Sequence, residues 1–216
     1  MRHLGLDFSQ PSARSPAFSS VFEALHTEPF RVTERDLDAV FTEVRRGRPD
    51  AVSIVVALGS FVPVAITDAI ERAARRAGFR AAQTLAAPTA GAIAYATTHP
   101  GAGLIGVATA NPRCIDIGVF RLDGVRVLPL AVSGLLCRQL DLDSIELAWA
   151  PCAAALHARG ESLTRWVGFG QRAPLDHVGR LIGHAASSAS VDAIVAGARR
   201  CAELLELDEV IPIRDG

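Results

Sequence analysis

Few residues in this chain carry the side chains that chemistry needs, and their spacing limits what they do together. Asp7 closes the alternating stretch "HLGLDF" and stands at a strand end, where a carboxylate caps a turn or holds a cation. His177 and His184 are seven apart on one helix face. Two imidazoles without a neighbouring carboxylate or thiolate make a poor metal set. Ser60 lies in "LGSFV", which lacks the G-x-S-x-G turn that exposes a nucleophilic serine. "GFG" at 168–170 is too short to define a phosphate loop. Cys114, Cys137, Cys152 and Cys201 form no C-x-x-C pair and read as small buried hydrophobes. Asp116 sits inside a strand and reads as facing solvent or an arginine; Arg113 reads as a solvated loop residue, and Trp149 and Trp166 as packing residues. All 22 basic side chains are arginine, which excludes a Schiff base, a lysine nucleophile and a Walker-type phosphate lysine.

The elements that position these residues follow from periodicity. The chain of 216 residues is 50% apolar with a net charge of −1, enough to bury a core. It gives no electrostatic case for nucleic acid or an anionic membrane as partner. No apolar run has the length of a membrane helix, and "MRHLGLDFSQPSARS" does not read as a secretory signal, so a cytoplasmic protein is expected. Strands are expected at 3–8, at "AVSIVVAL" (51–58), around 79–85, at 103–109 and at 114–122, the last turning through Asp123-Gly124 into "VRVLPLAV". "SQPSARSPAFSS" reads as loop or weak edge strand. Helices are expected from Thr33, capped with Asp36, and after Pro63. Others are expected over "APTAGAIAYATTHP", over 139–158 with an interruption near Pro151, and over 175–187. "VDAIVAG" at 191–197 reads as a last buried strand, followed by a helix over "ARRCAELLEL" and an extended "EVIPI". The alternation predicts an α/β fold with mixed sheets, with "TTHPGAG" joining residues 1–97 to residues 98–216.

Residues 67–96, "TDAIERAARRAGFRAAQTLAAPTAGAIAYA", resemble without a gap the nucleotide-binding domain of DnaK-type heat-shock chaperones, where a helix ending "AG", a strand and an "EPTAAALAYG" helix follow one another. "AVSIVVA" is similar to that family's "AVITVPA" strand and "CIDIGVFRLDGVRVL" to its "TFDVSILEIDGVFEV" hairpin. "LGLDF" is similar to its first phosphate strand, and "VDAIVAGARR" to its adenosine motif "IDDIVLVGGSTR". The resemblance implies an actin-like, ribonuclease H-like fold of two lobes around a nucleotide cleft, with 1–97 in the first lobe and 98–216 in the second. Both small subdomains are missing or reduced. No peptide-binding domain follows, and the family's last helix, which returns to the first lobe, has no counterpart in this reading.

The chemistry that the resemblance implies is largely removed. The first phosphate turn, D-L-G-T-T in the family, is Asp7-Phe8-Ser9-Gln10-Pro11, which keeps the aspartate but ends in a residue with no N–H. The second, D-L-G-G-G-T, is Thr109-Ala110-Asn111-Pro112-Arg113-Cys114, without the aspartate or any glycine. Ala87 replaces a glutamate, no lysine is present, and the adenosine motif keeps only Gly197 and Arg200. Phosphoryl transfer depends on positioning and charge stabilisation, so losing the cradle and a metal-placing carboxylate together removes its basis.

The first expectation is therefore a non-catalytic DnaK-related protein of the actin-like fold, a degenerate ATPase acting through a protein partner or as a homodimer. It would have no catalytic or metal residues and no cofactor. A second reading is a divergent chaperone-like protein binding ATP or ADP with magnesium through vestigial Asp7, Ser9, Thr109, Gly197 and Arg200. A third is a non-hydrolysing partner of a catalytic subunit, as in tRNA threonylcarbamoylation, whose degenerate actin-fold proteins also carry "GSF", here at 59–61.

Overall fold

A computed structural model describes residues 2–9, 15–183, 187–190 and 192–205. The chain is an α/β protein with one parallel and one mixed sheet, flanked by helices. Strands β1 (His3–Asp7), β2 (Ser53–Leu58) and β3 (Ala81–Ala86) form a parallel sheet in the order β1-β2-β3. Every residue of β2 is buried, as a β-branched run in a central parallel strand should be. Its alternation sends Ile54, Val56 and Leu58 to one face and Val55 and Ala57 to the other.

The first face is covered by three helices. In α2 (Glu34–Gly47), Thr33 and Asp36 form a complete capping box, and Leu37, Val40 and Phe41 turn inward. Helix α3 (Val64–Arg76) buries the Ile66, Ala69, Ile70 and Ala73 stripe. The third helix, α1 (Pro16–Leu25), corrects the loop expected over "SQPSARSPAFSS". Ser15 accepts from the Phe18 N–H at 3.3 Å, Pro16 fits the first turn, and Phe18, Val21 and Leu25 are buried. The Phe18 ring stacks on Phe8 with centroids 4.3 Å apart. Three contacts thus override the turn-forming composition; Gln10 to Arg14 lie outside the described residues.

The second sheet has the order β6-β5-β4-β7-β8. Strands β4 (Gly101–Asn111), β5 (Cys114–Gly124) and β6 (Arg126–Leu136) make an antiparallel meander. Strand β7 (Arg165–Gly170) joins β4 in parallel, and the short β8 (Ser187–Ser188) joins β7 in parallel. Its outer face packs on α5 (Leu142–His157) and α6 (Arg172–Ile182) through Ile115, Ile117, Val119, Cys152, Leu156, Leu175 and Val178. Trp166 is buried there, edge-on to Trp149 at 6.5 Å. Helix α5 runs unbroken through Pro151. The carbonyl that the proline leaves unbonded belongs to exposed Leu147, and the buried Ile145, Ala148, Cys152 and Leu156 hold the helix together. Helix α6 stops at Gly183, whose φ of 72° is left-handed, earlier than expected.

Between the sheets lie α4 (Ala87–Thr98) and α7 (Asp192–Leu205), packed on each other. Helix α7 overturns two expectations. Residues 192–197 begin this helix instead of forming a strand, because Ile194, Gly197, Ala198, Cys201 and Ala202 are buried at helical spacing. The helix also packs on β1 and β2, so the chain does return to the first sheet. The 191 end of the expected strand and "EVIPI" lie outside the described residues. No helix among the described residues is long and apolar enough to cross a membrane.

Close approach at this middle layer depends on glycine. A Cβ on Gly5 would collide with the Val195 carbonyl and the Arg199 amide; one on Gly197 would collide with the Ala90 carbonyl. Backbone cannot give way as a side-chain tip can. In an exposed helix Gly→Ala stabilises by about 1 kcal/mol, but here the sign should reverse. Gly197→Ala is expected to destabilise by about 2–3 kcal/mol through overpacking, read as a lower urea midpoint. An unchanged or higher midpoint would remove the glycine contact from the account.

Candidate functional site

The carboxyl ends of β1 and β4 meet across the boundary between the sheets, and the chemistry-bearing residues gather there. Directly after β1, Asp7 Oδ1 accepts from the Ser9 amide at 2.7 Å and the Ser9 hydroxyl at 2.6 Å, closing a buried local turn. Asp7 therefore acts as a turn-forming carboxylate, one of the two roles its position allows.

The second turn is organised by Asn111. Its Oδ1 accepts from the amides of Arg113 (2.9 Å) and Cys114 (3.0 Å), which fixes the tight β4–β5 connection. Its Nδ2 donates to the Ser9 carbonyl at 3.1 Å, and that bond spans 102 residues of sequence. The two turns are thus hydrogen-bonded to each other. Pro112 and Arg113 are exposed at the tip of the second.

A second bridge lies one layer deeper. Asp116 is fully buried, which corrects the expectation that it faces solvent or an arginine. Strand β5 is covered on both faces, and its even-numbered residues, Asp116, Phe120 and Leu122 among them, point toward the first sheet. In register, Asp116 stands opposite Thr109 on β4 and Gly134 on β6. The absent side chain at Gly134 leaves the space that Ser60 enters: a Cβ there would strike both Asp116 Oδ1 and Ser60 Oγ. Ser60, in the loop from β2 to α3, donates its amide to Asp116 Oδ1 at 2.6 Å and also donates its hydroxyl to the same oxygen. Asp116 Oδ2 is buried without a hydrogen-bond partner among the described residues.

Burial pushes the Asp116 carboxyl up to about 7; the Ser60 hydrogen bonds oppose that rise, and the nearby Asp7 adds to it. Burial likewise raises the thiols of Cys114, Cys152 (to about 12) and Cys201 (to about 11), so these cysteines are inert packing groups. His26 is pushed down, first by burial, while Arg113 also lowers it and its bond to the Phe22 carbonyl opposes. Its ring packs against Phe22 and Phe61, beside Ser60.

Of the residues singled out in sequence, Asp7, Ser9 and Thr109 belong to this junction. Gly197 and Arg200 do not join it by any hydrogen bond among the described residues. Gly197 is buried mid-helix against α4, and the half-exposed Arg200 pairs with Glu203 at 2.9 Å. Gly168-Phe169-Gly170 ends strand β7 with Gly170 at φ 98°, and α6 follows directly. His177 faces Glu146 at 3.9 Å, and His184 lies outside the described residues. Ser60, Asn111 and Gly134 were missed as a set, because only the cross-strand register and the β2–α3 loop bring them together. The chain matches no protein-family model and no curated protein.

The buried acid makes stability depend on pH. In the unfolded chain a carboxyl titrates near 4, so between about pH 4 and 7 the unfolded state is ionised while folded Asp116 keeps its proton. Its contribution should be full below about pH 4 and lost as the pH rises through 7. Asp116→Asn is expected to flatten the dependence of unfolding free energy on pH in this window, by on the order of 3 kcal/mol across it. A slope equal to wild type would show that Asp116 titrates like an exposed acid.

Proposed function

We propose that this chain is a non-catalytic relative of the DnaK-type nucleotide-binding domain, built on a reduced actin-like fold and acting through contacts with other proteins. The observation that carries this reading is the direct bonding of the two turns where a relative would cradle phosphate. The Ser9 carbonyl accepts from Asn111, and Ser60 donates to Asp116. A phosphate cradle needs its backbone N–H groups directed at the ligand. Here the amides of Ser9, Ser60, Arg113 and Cys114 are all committed to protein oxygens. The two α/β layers around a shared helix pair, with the β6-β5-β4-β7-β8 order, support the actin-like assignment. The proposed division between residues 97 and 98 cuts the last turn of α4, three residues before β4 begins.

A second reading, residual nucleotide binding, is favoured by one observation. Gly168 and Gly170 close strand β7 directly before α6, beside Thr109 through the Thr109–Phe169 pairing, as glycines follow the strand in the family's adenosine motif. The two readings separate in thermal unfolding with millimolar magnesium-ATP or ADP. A ligand present at a hundred times its dissociation constant adds about 2.7 kcal/mol. No shift in midpoint is expected with either nucleotide; a saturable rise would replace the first reading by the second.

A further inference from the structure

Helix α5 carries no charged side chain between Glu146 and His157, although only one side of it is buried. Ile145, Ala148, Cys152 and Leu156 meet the sheet. Glu146 faces His177 of α6 at 3.9 Å and Trp149 meets Trp166 of β7, so the flank that carries them looks along the sheet toward β7. Leu147, Pro151, Ala154 and Ala158 recur at i, i+4, i+7 and i+11 on the opposite, outward flank, and all four are exposed. Leu147 keeps 63% of its surface open to solvent. A helix that is apolar on every side belongs in an interior, whereas a solvated face is normally polar. Below this flank β6 ends its sheet among the described strands. Its Leu128, 53% exposed, stands in register with Arg121, which pairs with Glu161 just past the helix. Pro129 and the irregularity opposite Val119 and Phe120 guard that edge against strand pairing, so the apolar surface is offered by the helix.

We propose that this flank is the contact of a homodimer, in which α5 packs antiparallel on α5 of a second copy across a two-fold axis. Three features name the second copy as the occupant. A two-fold contact sets one surface against itself, and a strip without charge meets its own copy with no like-charge penalty. The residue sizes interlock in the antiparallel sense, at the seam spacing of paired helices: Leu147 falls on Ala158 of the second copy and Pro151 on its Ala154, bulk against small. The charges lie outside the strip, with Asp141 and Asp143 at the start of α5 and His157 and Arg159 at its end. Arg138 leaves the first end with two carboxylates to one guanidinium, and at the other end Glu161 is already taken by Arg121. Antiparallel packing therefore brings Asp143 of each copy to Arg159 of the other, whose guanidinium bonds only the Ala155 carbonyl among the described residues. The helix is about 24 Å long. With the rim of β6 it presents roughly 500 Å² in projection, close to the ~600–800 Å² per partner of a specific dimer once its relief is counted. This deepens the protein-interaction reading and rests on it, and the two fail separately: nucleotide binding would overturn that reading without changing the association state.

The full chain is followed by sedimentation equilibrium between about 1 and 100 µM. The expected result is a reversible dimer. Leu147→Glu should raise its dissociation constant at least about tenfold with an unchanged urea midpoint, whereas Phe30→Glu, at an exposed apolar residue between α1 and α2, should leave it as it is. Asp143→Arg and Arg159→Asp should each weaken the dimer several-fold, and together in one chain restore it. A monomer throughout that range would overturn the proposal, as would a dimer indifferent to Leu147→Glu or one that both charge reversals together fail to restore. A monomer that dimerises only after deletion of 206–216 would assign the flank to the chain's own terminal segment and overturn the second copy as its occupant.

Discussion

Helix α7 lies against β1 on one side and α4 on the other, and each contact is made through a glycine whose missing Cβ lets backbone meet backbone. Gly5 sets the distance from the helix to the first sheet, and Gly197 sets its distance to α4. Because α4 also packs on β4 and β5, these two contacts fix the separation of the sheets. Side chains of ordinary size would push the layers apart by an ångström or more. The hydrogen bonds at the far ends of β1 and β4 operate over less than that. The middle layer therefore comes first in the physical argument, and the junction at the strand ends follows from it.

That junction is made of groups that would be costly to bury alone. Asp116 accepts two donors on one oxygen and none from the described residues on the other, and burial raises its carboxyl to about 7. Asn111 uses both ends of its amide, one to close its own turn and one to reach the turn after β1. Such a network specifies how two layers dock more than it adds net stability. A binding cleft needs its polar groups turned outward to a ligand. Here they are turned on each other.

Much of the fold was legible because periodicity and burial agree. β2 is apolar on both faces and central, α2 and α3 carry clean stripes, and Asp123-Gly124 marks the hairpin between β5 and β6. The errors arose where tertiary contact overrode local pattern. "VDAIVAG" has strand-like composition, but its buried positions recur at helical spacing because α4 and β1 flank it on two sides. The turn-rich stretch before Phe18 becomes helical once Ser15 caps it and Phe18 stacks on Phe8. The candidate site was half legible. Asp7 and Ser9 lie in one short stretch and form one local turn, whereas Ser60, Asn111 and Gly134 have no local signal. Their connection exists only in the register of β5 with β6 and in the docking of the β2–α3 loop, and an aspartate inside a strand gives no sign of which face will be covered.

The central claim is that the strand ends are closed on each other by direct hydrogen bonds, with Ser60 at the exposed rim, and do not form a cleft that opens to ligand. The Ser60 amide reports on it directly, because its acceptor, Asp116, belongs to the other sheet. Native-state hydrogen exchange at this amide should be slowed by its bond to the buried Asp116, although Ser60 itself is exposed, and should be unaffected by magnesium-ATP. Exchange as fast as that of an unbonded amide, slowed when nucleotide is added, would show a cleft that opens and binds, and would contradict the account.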